Sequence, residues 1–319
     1  MDMKPTLNFW EGQRVTVTGG GGFMGKIVVQ KLKERGCQNI FVPRSRDYDL
    51  REKEQILRMY QDSRPDILLH LAAVVGGIGI NRTKPGTFFY ENAIMGIQLM
   101  EWGRRLGIRK FVAVGTTCSY PKSIPLPFKE SDFWNGYPEE TNAPYGLAKK
   151  MLSVQAAAYA QEFSFNAINP IPSNLYGPED NFDLETSHVI PAVIRKFVEA
   201  QERRHESVAL WGTGTPSRDF LYVEDAAEGI LLAAERYDRP DPVNLGSGRE
   251  ISIRDLAQMI SDLVRFRGTI RWDPSKPDGQ PRRQLDIHRA QELFGFSPRI
   301  SLEEGLRRTI EWYQKRKRD

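Results

Sequence analysis

Residues 14–25 read RVTVTGGGGFMG, a short β-branched strand that runs into four consecutive glycines and then into a helical pattern. Glycines at such a junction allow a tight turn, and they let the backbone come close to a ligand. The helix that follows offers free N–H groups and the positive end of its dipole to an anion. We expect five residues here to contact the pyrophosphate of a dinucleotide: Gly19, Gly22, Phe23, Met24 and Gly25.

The rest of the first half alternates between apolar strands and helical periodicity. Strands are predicted at 14–18, 40–42, 67–71, 111–114 and 165–168, and helices at 24–35, 53–60, 88–106 and 143–162. Continuous apolar strands separated by helices are typical of a parallel sheet that is covered on both faces. The sequence therefore predicts an α/β fold built on a Rossmann-type, doubly wound parallel sheet.

After about Pro170, prolines become more frequent and the predicted elements become shorter. Helices are predicted at 189–199, 224–235, 253–264 and 302–314, and strands at 208–210, 220–222, 243–245 and 269–271. We expect a dinucleotide-binding domain at 1–172 that also takes in parts of 208–247. A smaller α/β substrate-binding domain is expected at 173–207 and 248–319, intertwined with the first.

The composition is that of an ordinary globular protein, with 319 residues, 40% of them hydrophobic and 27% charged. The net charge of +4 is only mildly basic, and the basic run at 315–318 fits a solvated helix end, so no nucleic-acid partner is expected. No apolar run nears the roughly 20 residues that cross a bilayer, and residues 1–10 lack a secretory pattern. We therefore expect no membrane association and a cytoplasmic setting. Cys37 and Cys118 show neither metal-ligand spacing nor a disulfide framework, so no metal site is expected.

The segment after the second predicted strand indicates which dinucleotide is bound. An NAD site usually carries an acid at the end of this strand to hold the ribose 2′-hydroxyl, whereas residues 43–46 here read PRSR. Two guanidinium groups suit a 2′-phosphate through bidentate, charge-assisted hydrogen bonds. We therefore expect Arg44 and Arg46 to favour NADP(H) over NAD; a pair of exposed surface arginines is the alternative.

Tyr145 and Lys149 form a YxxxK pattern on the predicted helix 143–162. Residues four apart share a helix face, so the phenol and the ammonium group project together. A nearby cation should lower the pKa of the phenol and make it a usable acid and base at neutral pH. Tyr313 and Lys317 repeat the pattern in a charged C-terminal helix, which we interpret as accidental.

Residues 115–121 read GTTCSYP and follow the apolar strand 111–114 directly. A structural cysteine belongs inside the apolar run, so Cys118, among hydroxyl side chains at a strand end, suggests chemistry. The alternative is a small core residue, which a lone cysteine more often is. The segment follows the fourth strand, where a nicotinamide ring would reach.

These features resemble the extended short-chain dehydrogenase/reductase family. The resemblance covers nearly the whole chain and rests on Gly19, Gly22, Gly25, HLAA at 70–73, Asn92, Thr116, Tyr145, Lys149 and NLYGP at 174–178. It implies a Rossmann-type domain, a bound nicotinamide cofactor and a nucleotide-sugar substrate. It also implies that Tyr145 protonates the substrate's keto oxygen and that Lys149 holds the nicotinamide ribose. Thr116, where the family usually has serine, would hydrogen-bond the substrate oxygen.

Further stretches are similar to the members of this family that act on GDP-4-keto sugars with NADPH, by epimerisation at C3 and C5 and reduction of the 4-keto group. These stretches are 74–78, 118–122, 174–178, 180–182, 187–191, 211–216 and 275–279. The resemblance implies that Cys118 and His188 exchange protons with opposite faces of the sugar. It also implies contacts to the GDP-sugar from Asn174, Trp211, Arg218, Lys276 and Arg283.

Two alternatives stay open. The chain could be an epimerase or reductase acting on another GDP-4-keto sugar, or a non-catalytic NADP(H)-binding protein on the same scaffold. The resembled family is usually dimeric through helices that correspond to 92–106 and 143–162, so a homodimer is expected. Ala156, Ala157 and Ala160 suit close helix packing, either in a dimer or within one chain.

Overall fold

The computed structural model describes residues 9–276 and 278–318, without the side chain of Ile78. Residues 1–8 of the first expected domain, and Pro277 within the stretch 275–279, lie outside the described residues. The described strands are β1 (Arg14–Thr18), β2 (Asn39–Phe41), β3 (Ile67–His70), β4 (Lys110–Ala113), β5 (Ala167–Pro172), β6 (Asn174–Tyr176), β7 (Ser207–Trp211), β8 (Ser217–Tyr222), β9 (Pro242–Leu245), β10 (Glu250–Ser252), β11 (Thr269–Asp273) and β12 (Arg282–Arg283). The described helices are α1 (Phe23–Glu34), α2 (Lys53–Ser63), α3 (Ile78–Thr83), α4 (Pro85–Arg105), α5 (Ala143–Phe163), α6 (Val189–Glu202), α7 (Val223–Arg236), α8 (Ile253–Val264), α9 (His288–Phe294) and α10 (Leu302–Arg318).

The main sheet contains six of the described strands in the order β2-β1-β3-β4-β5-β9, and every neighbouring pair is parallel. The register places Val15 beside Ile67 and Leu68 beside Phe111. Because successive side chains of a strand alternate between faces, Ile67 and Leu69 lie in one core and Leu68 in another. The predicted α/β fold with a doubly wound parallel sheet is confirmed.

Helices cover both faces of this sheet. On one face Val28 of α1 packs in the same core as Ile230 of α7. On the other, Leu99 of α4 and Leu152 of α5 are fully buried against the strands. Helices therefore cover both faces of the sheet. A ligand can reach the sheet at the edge where the strands end.

A second part of the molecule is organised around β8. This strand pairs in parallel with β6 and β12 and antiparallel with β10, while β7 pairs in parallel with β11. Phe197 of α6, Ile260 of α8 and Leu306 of α10 close a separate core over these strands. α8 begins at a capped end, since the Ser252 hydroxyl accepts a hydrogen bond from the Asp255 N–H at 3.0 Å.

The chain passes between the two parts more than once. It leaves the main sheet after β5 and returns at β9, which pairs with β5 along its length. α7 lies against α1, and α9 packs against both α7 and β9. α9 falls within 248–319, which the sequence assigned to the substrate-binding part. Its Phe294 is nevertheless buried in the same core as Ile230 of α7, so this segment packs with the main sheet.

The fifth strand is the clearest difference from the sequence-based prediction. It was expected at 165–168, but β5 extends to Pro172 because its prolines do not end the strand. Pro170 lacks an N–H, yet its carbonyl oxygen accepts a hydrogen bond from Gly115 at 2.8 Å. The prediction also missed α3, β6, β10, β12 and α9, which are too short to show periodicity.

Membrane insertion finds no support in the described helices. None of them combines the length and the apolar character that a bilayer crossing requires.

Candidate active site

The glycine turn between β1 and α1 is built by close backbone approach. A Cβ at Gly25 would collide with the Gly19 carbonyl oxygen, so this position requires glycine. α1 has no side-chain cap at Gly22 and no acidic residue in its first turn, where Phe23 and Met24 lie. The N–H groups and the dipole of this helix end are thus available to an anion. The turn fits the diphosphate of a dinucleotide.

Arg44 lies over this turn, because a Cβ at Gly21 would collide with its guanidinium group. Arg46 is also exposed, and its Nε donates a hydrogen bond to the Asp47 carboxylate at 3.3 Å. The structure therefore brings Arg44 to the glycine turn and directs Arg46 towards its own neighbour. Such an exposed ion pair is weak, so Arg46 can leave it for a stronger anion.

The segment after β3 is fixed by Asn92 of α4. The Asn92 side chain accepts a hydrogen bond from the Val74 N–H and donates one to the Val74 carbonyl, each at 2.9 Å. Nearby, the hydroxyl of Thr18 hydrogen-bonds His70 Nδ1 at 2.9 Å. Burial, with a contribution from the charge of Lys149, keeps the pKa of His70 well below its usual value. His70 is therefore a neutral residue that ties β1 to β3.

Thr116, Cys118 and Tyr145 meet where β4 ends. Residues 117–119 form a short 3-10 turn, and the Thr116 hydroxyl accepts a hydrogen bond from the Cys118 N–H at 3.2 Å. α5 approaches this turn so closely that a Cβ at Gly146 would collide with the Cys118 carbonyl oxygen. The adjacent Tyr145 phenol is hydrogen-bonded to Thr116 and interacts electrostatically with Cys118.

Burial dominates the protonation of the YxxxK residues. Loss of solvent, and then the charge of Cys118, raises the pKa of Tyr145, and the hydrogen bond with Thr116 offsets only part of this rise. Burial also lowers the pKa of Lys149 to about 8. The expectation of a lowered pKa for this phenol is wrong, because desolvation raises it. At neutral pH Tyr145 is a protonated phenol, suited to donate a proton.

Arg283 of β12 reaches the same turn from the second part of the molecule. Its Nη1 lies 3.7 Å from Cys118 Sγ and 3.4 Å from the Thr117 hydroxyl, and its Nη2 donates a hydrogen bond to Gln280 at 2.9 Å. The sequence predicted a contact between Arg283 and the substrate, with no indication of its place beside Cys118. The structure thus puts a guanidinium group next to the thiol.

His188 immediately precedes α6 and is exposed to solvent. The surrounding protein nevertheless removes enough water to lower the pKa of its ring. A side chain with both properties lines an open cleft. The preceding chain is anchored to the segment after β3, because the Gly77 N–H donates a hydrogen bond to the Thr186 carbonyl at 3.1 Å. His188 therefore lies close to the segment that follows β3, and Cys118 follows the neighbouring β4.

Arg218 faces Arg283, since the two are paired positions of β8 and β12. Burial, and then the charge of Arg283, lowers the pKa of Arg218 to about 10, while Cys118 and Glu139 oppose this shift. Two guanidinium groups in one cleft create a strong preference for an anion. Asn174, also expected to touch substrate, donates its amide N–H to the Asp219 carbonyl at 2.9 Å and so holds β6 to β8.

Asp219, which the sequence analysis missed, fixes the strand that carries Arg218. Its fully buried carboxylate accepts hydrogen bonds from the Ser247 N–H at 2.9 Å and the Ser247 hydroxyl at 2.7 Å. The Ser173 hydroxyl adds a third at 3.3 Å. No local pattern marks this residue, because its partners come from separate segments. Because Asp219 is the next residue of β8, these hydrogen bonds also hold Arg218 in position.

Trp211, at the end of β7, is a large exposed aromatic side chain with 52% of its surface accessible. The ammonium groups of Lys276 and Lys196 lie 5.6 Å and 5.8 Å from its ring centre. Lys196 was missed by the sequence analysis because nothing in the helical pattern of α6 distinguishes it. The aromatic face and two cations can hold a flat, anionic group.

Two surface cavities, of about 500 and 540 Å³, lie away from these residues. The second is lined by Asp180, Phe182 and Tyr313 among others. Burial raises the pKa of Asp180 to about 7, and its Oδ2 has no hydrogen-bond partner. Neither cavity contains a residue that the sequence assigned to catalysis.

The chain is similar to known proteins over most of its length. The model of the NAD dependent epimerase/dehydratase family matches residues 15–246. GDP-L-fucose synthase 1 of Arabidopsis thaliana is 37% identical over 302 residues, which cover 95% of this chain and 93% of that protein. GDP-L-colitose synthase of Yersinia pseudotuberculosis is 35% identical over 303 residues, covering 94% and 97%. The crystal structure of a GDP-L-fucose synthetase from Naegleria fowleri bound to NADP has a TM-score of 0.85 at 28% identity, covering 97% of this chain and 96% of that one.

Proposed function

Because the chain belongs to the NAD dependent epimerase/dehydratase family, we propose that it converts GDP-4-keto-6-deoxy-D-mannose to GDP-L-fucose with NADPH. The reaction inverts C3 and C5 of the sugar and then reduces its 4-keto group. The substrate is inferred from the likeness to a GDP-L-fucose synthase over 95% of the chain. The cofactor is inferred from the NADP-bound neighbour and from Arg44 over the glycine turn.

One observation carries the proposal: the Tyr145 phenol is hydrogen-bonded to Thr116 and lies within electrostatic range of Cys118. A hydroxyl, a phenol and the Lys149 ammonium group on one side suit reduction of a ketone. A thiol beside them suits removal of a proton from carbon next to that ketone. A single cleft thus holds the groups that both halves of the reaction require.

For the reduction, bound NADPH supplies a hydride to C4. The protonated phenol of Tyr145 donates its proton to the 4-keto oxygen, and Thr116 hydrogen-bonds the same oxygen as negative charge develops there. Lys149 is cationic at neutral pH, since its pKa is about 8, and it favours proton loss from the phenol at that moment.

For the epimerisation, the 4-keto group acidifies the hydrogens on C3 and C5. Inversion needs a base on one face of the ring and an acid on the other. Cys118 follows β4 and His188 lies close to the segment after β3, and we expect the two to face the sugar from different sides. The lowered pKa of His188 makes its imidazolium a ready proton donor.

For the nucleotide part, Arg218 is the residue we expect to bind the diphosphate. It is half-buried beside Arg283 in a cleft that favours anions. Trp211, with Lys196 and Lys276 beside it, offers a surface for the guanosine part. Asn174 is engaged with Asp219, so we expect it to shape the cleft through β8.

The test uses the purified protein with NADPH and GDP-4-keto-6-deoxymannose. We expect loss of NADPH absorbance and a product that NMR identifies as GDP-L-fucose. In deuterated water, deuterium should appear at both C3 and C5. No turnover would instead support the non-catalytic NADP(H)-binding alternative.

A related GDP-4-keto sugar is the second candidate substrate. The observation in its favour is the 35% identity to GDP-L-colitose synthase, close to the identity with the fucose enzymes. Parallel assays with the 3,6-dideoxy and the 6-deoxy 4-keto sugars would separate the two, because kcat/KM should favour the true substrate. Deuterium at C5 alone would indicate the 3,6-dideoxy case.

The proposal includes a homodimer through α4 and α5. These helices pack together, and their outer faces expose Tyr90 at 61% and Val154 at 54% of their surfaces. A second copy of the chain would cover these apolar side chains. Light scattering of the wild type and of Val154→Lys tests this, with a monomer expected for the variant. The cytoplasmic setting stays a prediction.

A further inference from the structure

Arg283 is a buried guanidinium group without a carboxylate. Only 6% of its surface is accessible, and its Nε is buried with no hydrogen-bond partner. Across the described part of the chain, Arg283 appears in no ion pair. Its side-chain partners are the neutral groups of Thr117 and Gln280 and the sulfur of Cys118. A buried cation that lacks a compensating anion is costly and therefore calls for one.

Cys118 is the group near Arg283 that can supply this anion. Arg218 of β8 and Tyr145 of α5 also interact electrostatically with Cys118, and the carboxylates of Glu139 and Glu250 act on Arg218. The phenol is protonated at neutral pH, so it repels no thiolate. Arg218 and Arg283 add positive charge on the side of β8 and β12. Arg283 is the cation that the structure places directly against the sulfur, with its Nη1 at 3.7 Å.

We propose that Arg283 is a positioning residue for Cys118, whose guanidinium group stabilises the thiolate and fixes the sulfur in the cleft before substrate arrives. The inference rests on the proposed function, in which Cys118 is the base of the epimerisation. It assigns Arg283 to the epimerase half of the chemistry, and leaves the binding of the diphosphate to Arg218.

The step moves one proton onto sulfur and another off the imidazolium, and exchange with solvent restores both groups before the next inversion. A hydrogen on the carbon beside the keto group leaves as a proton to sulfur, and its electron pair stays with the substrate as an enolate. Cys118 becomes a neutral thiol, which leaves Arg283 without its partner. His188 returns a proton to the opposite face of the carbon. No oxidant or reductant takes part.

The first experiment measures thiol reactivity and needs no substrate. Native protein is alkylated with iodoacetamide across a pH range, and modification of the peptide that contains Cys118 is followed by mass spectrometry. For Arg283→Gln, the alkylation rate at neutral pH should fall about tenfold or more. Loss of an adjacent opposite charge typically shifts the pKa of an ionisable group by about one unit or more. Arg283→Lys keeps the charge and should retain much of the wild-type rate.

Arg282→Gln is the matched control. Arg282 is the neighbouring residue of the same strand, but its side chain is exposed and bonded to Glu250, with Nε 3.1 Å from Oε1. Its loss should leave Cys118 alkylation within about twofold of the wild type, as for an exposed pair. An Arg283→Gln protein that alkylates at the wild-type rate would overturn the inference.

The second experiment distinguishes this role from binding of the nucleotide. With GDP-4-keto sugar in deuterated water, Arg283→Gln should incorporate deuterium at C3 and C5 about tenfold more slowly than the wild type. Its KM should change by less than about threefold. A large rise in KM with unchanged alkylation would reassign Arg283 to substrate binding and overturn the inference. If the wild type does not convert this sugar, the proposed function fails, and the alkylation result still decides the role of Arg283.

A measurement on the unaltered protein covers the case in which Arg283→Gln does not fold. Cys118 in the native protein should alkylate at lower pH than in the urea-unfolded chain. Cys37 serves as the internal reference, because burial raises the pKa of its thiol and should protect it in the fold. If Cys118 in the native protein alkylates at the same pH as in the unfolded chain, or only at a higher pH, the inference is contradicted.

Discussion

Arg44 and Arg46, beside the glycine turn, are exposed to solvent, whereas Arg283 is buried next to Cys118 and Arg218 is half-buried facing it. At the turn, backbone N–H groups are ready for an anion, and the arginines add charge that water and salt screen. Beside Cys118, protein already surrounds Arg283 and partly covers Arg218 before any ligand arrives. Burial there lowers the pKa of Arg218 to about 10.

The difference determines what each cation contributes to binding. An exposed pair is worth about 0–1 kcal/mol and weakens with salt. A buried cation has already lost its water, so a partner that meets it there interacts strongly, and removal of either partner is costly. We therefore expect larger effects, with little salt dependence, from substitutions in the cleft of Arg218 and Arg283 than from those at the turn.

Loss of the Tyr145 hydroxyl, which interacts with Thr116 and Cys118, has the largest expected effect. In Tyr145→Phe, kcat for NADPH-dependent reduction should fall roughly 10²–10⁴-fold, which is the usual contribution of a general acid to the rate. NADPH affinity should be unchanged. Tyr313→Phe, in the second YxxxK copy, is the matched control and should keep full activity. Equal losses in both variants would mean that the hydroxyl of Tyr145 has no special role.

Arg218→Gln tests the buried side of the comparison. KM for the GDP-sugar should rise about 30- to 150-fold, because a charge-assisted hydrogen bond to an ion contributes about 2–3 kcal/mol. The rise should persist at high salt. Arg249→Gln, at a nearby exposed arginine, should change KM little. A strong salt dependence of the Arg218 effect would show that the cleft is as open to solvent as the turn.

Asp180 extends the comparison to a buried carboxyl group, whose Oδ1 accepts a hydrogen bond from the Asn181 N–H while its Oδ2 has no partner. Its pKa is about 7 in the fold against 3.8 in a model compound. The unfolded chain therefore loses this proton first, and the carboxyl destabilises the fold increasingly as pH rises from about 4 to 7. Asp180→Asn should raise the free energy of unfolding by about 1–2 kcal/mol more near pH 8 than near pH 5.

Urea denaturation at the two pH values measures this difference. Asp183→Asn is the control with the opposite sign, because hydrogen bonds with Thr186 lower the pKa of that exposed carboxyl. Its carboxylate stabilises the fold above its ordinary pKa, so the substitution should destabilise at pH 8. Equal increments for Asp180→Asn at both pH values would show that its carboxyl is hydrated.

Arg44→Gln has the smallest expected effect and tests the exposed side. KM for NADPH should rise about fivefold at low salt and less at high salt, while KM for NADH stays the same. Arg46→Gln should have a smaller effect, because its guanidinium group is directed to Asp47. Loss of NADPH and NADH binding together would place Arg44 at the diphosphate instead of the 2′-phosphate.

Features encoded within one short segment could be predicted from the sequence. The glycine turn and the shared face of Tyr145 and Lys149 are examples, since strand, turn and helix geometry determine them locally. Arg283 and Cys118 are separated by 165 residues along the chain, so no spacing rule brings them together. The same holds for Asp219 and its partner Ser247. The predicted direction of the Tyr145 pKa shift was wrong for a related reason, because burial of the phenol depends on the whole fold.

The return of the chain to the main sheet has a consequence for its synthesis. α7 and β9 complete a core whose other members, including Val28 and Leu32 of α1, come from the first segment of the chain. While the nascent protein emerges from the ribosome, that apolar face stays uncovered until α7 and β9 have been made. A polypeptide that stops after β5 should therefore aggregate or recruit chaperones, and nucleotide affinity should appear only after translation has passed β9.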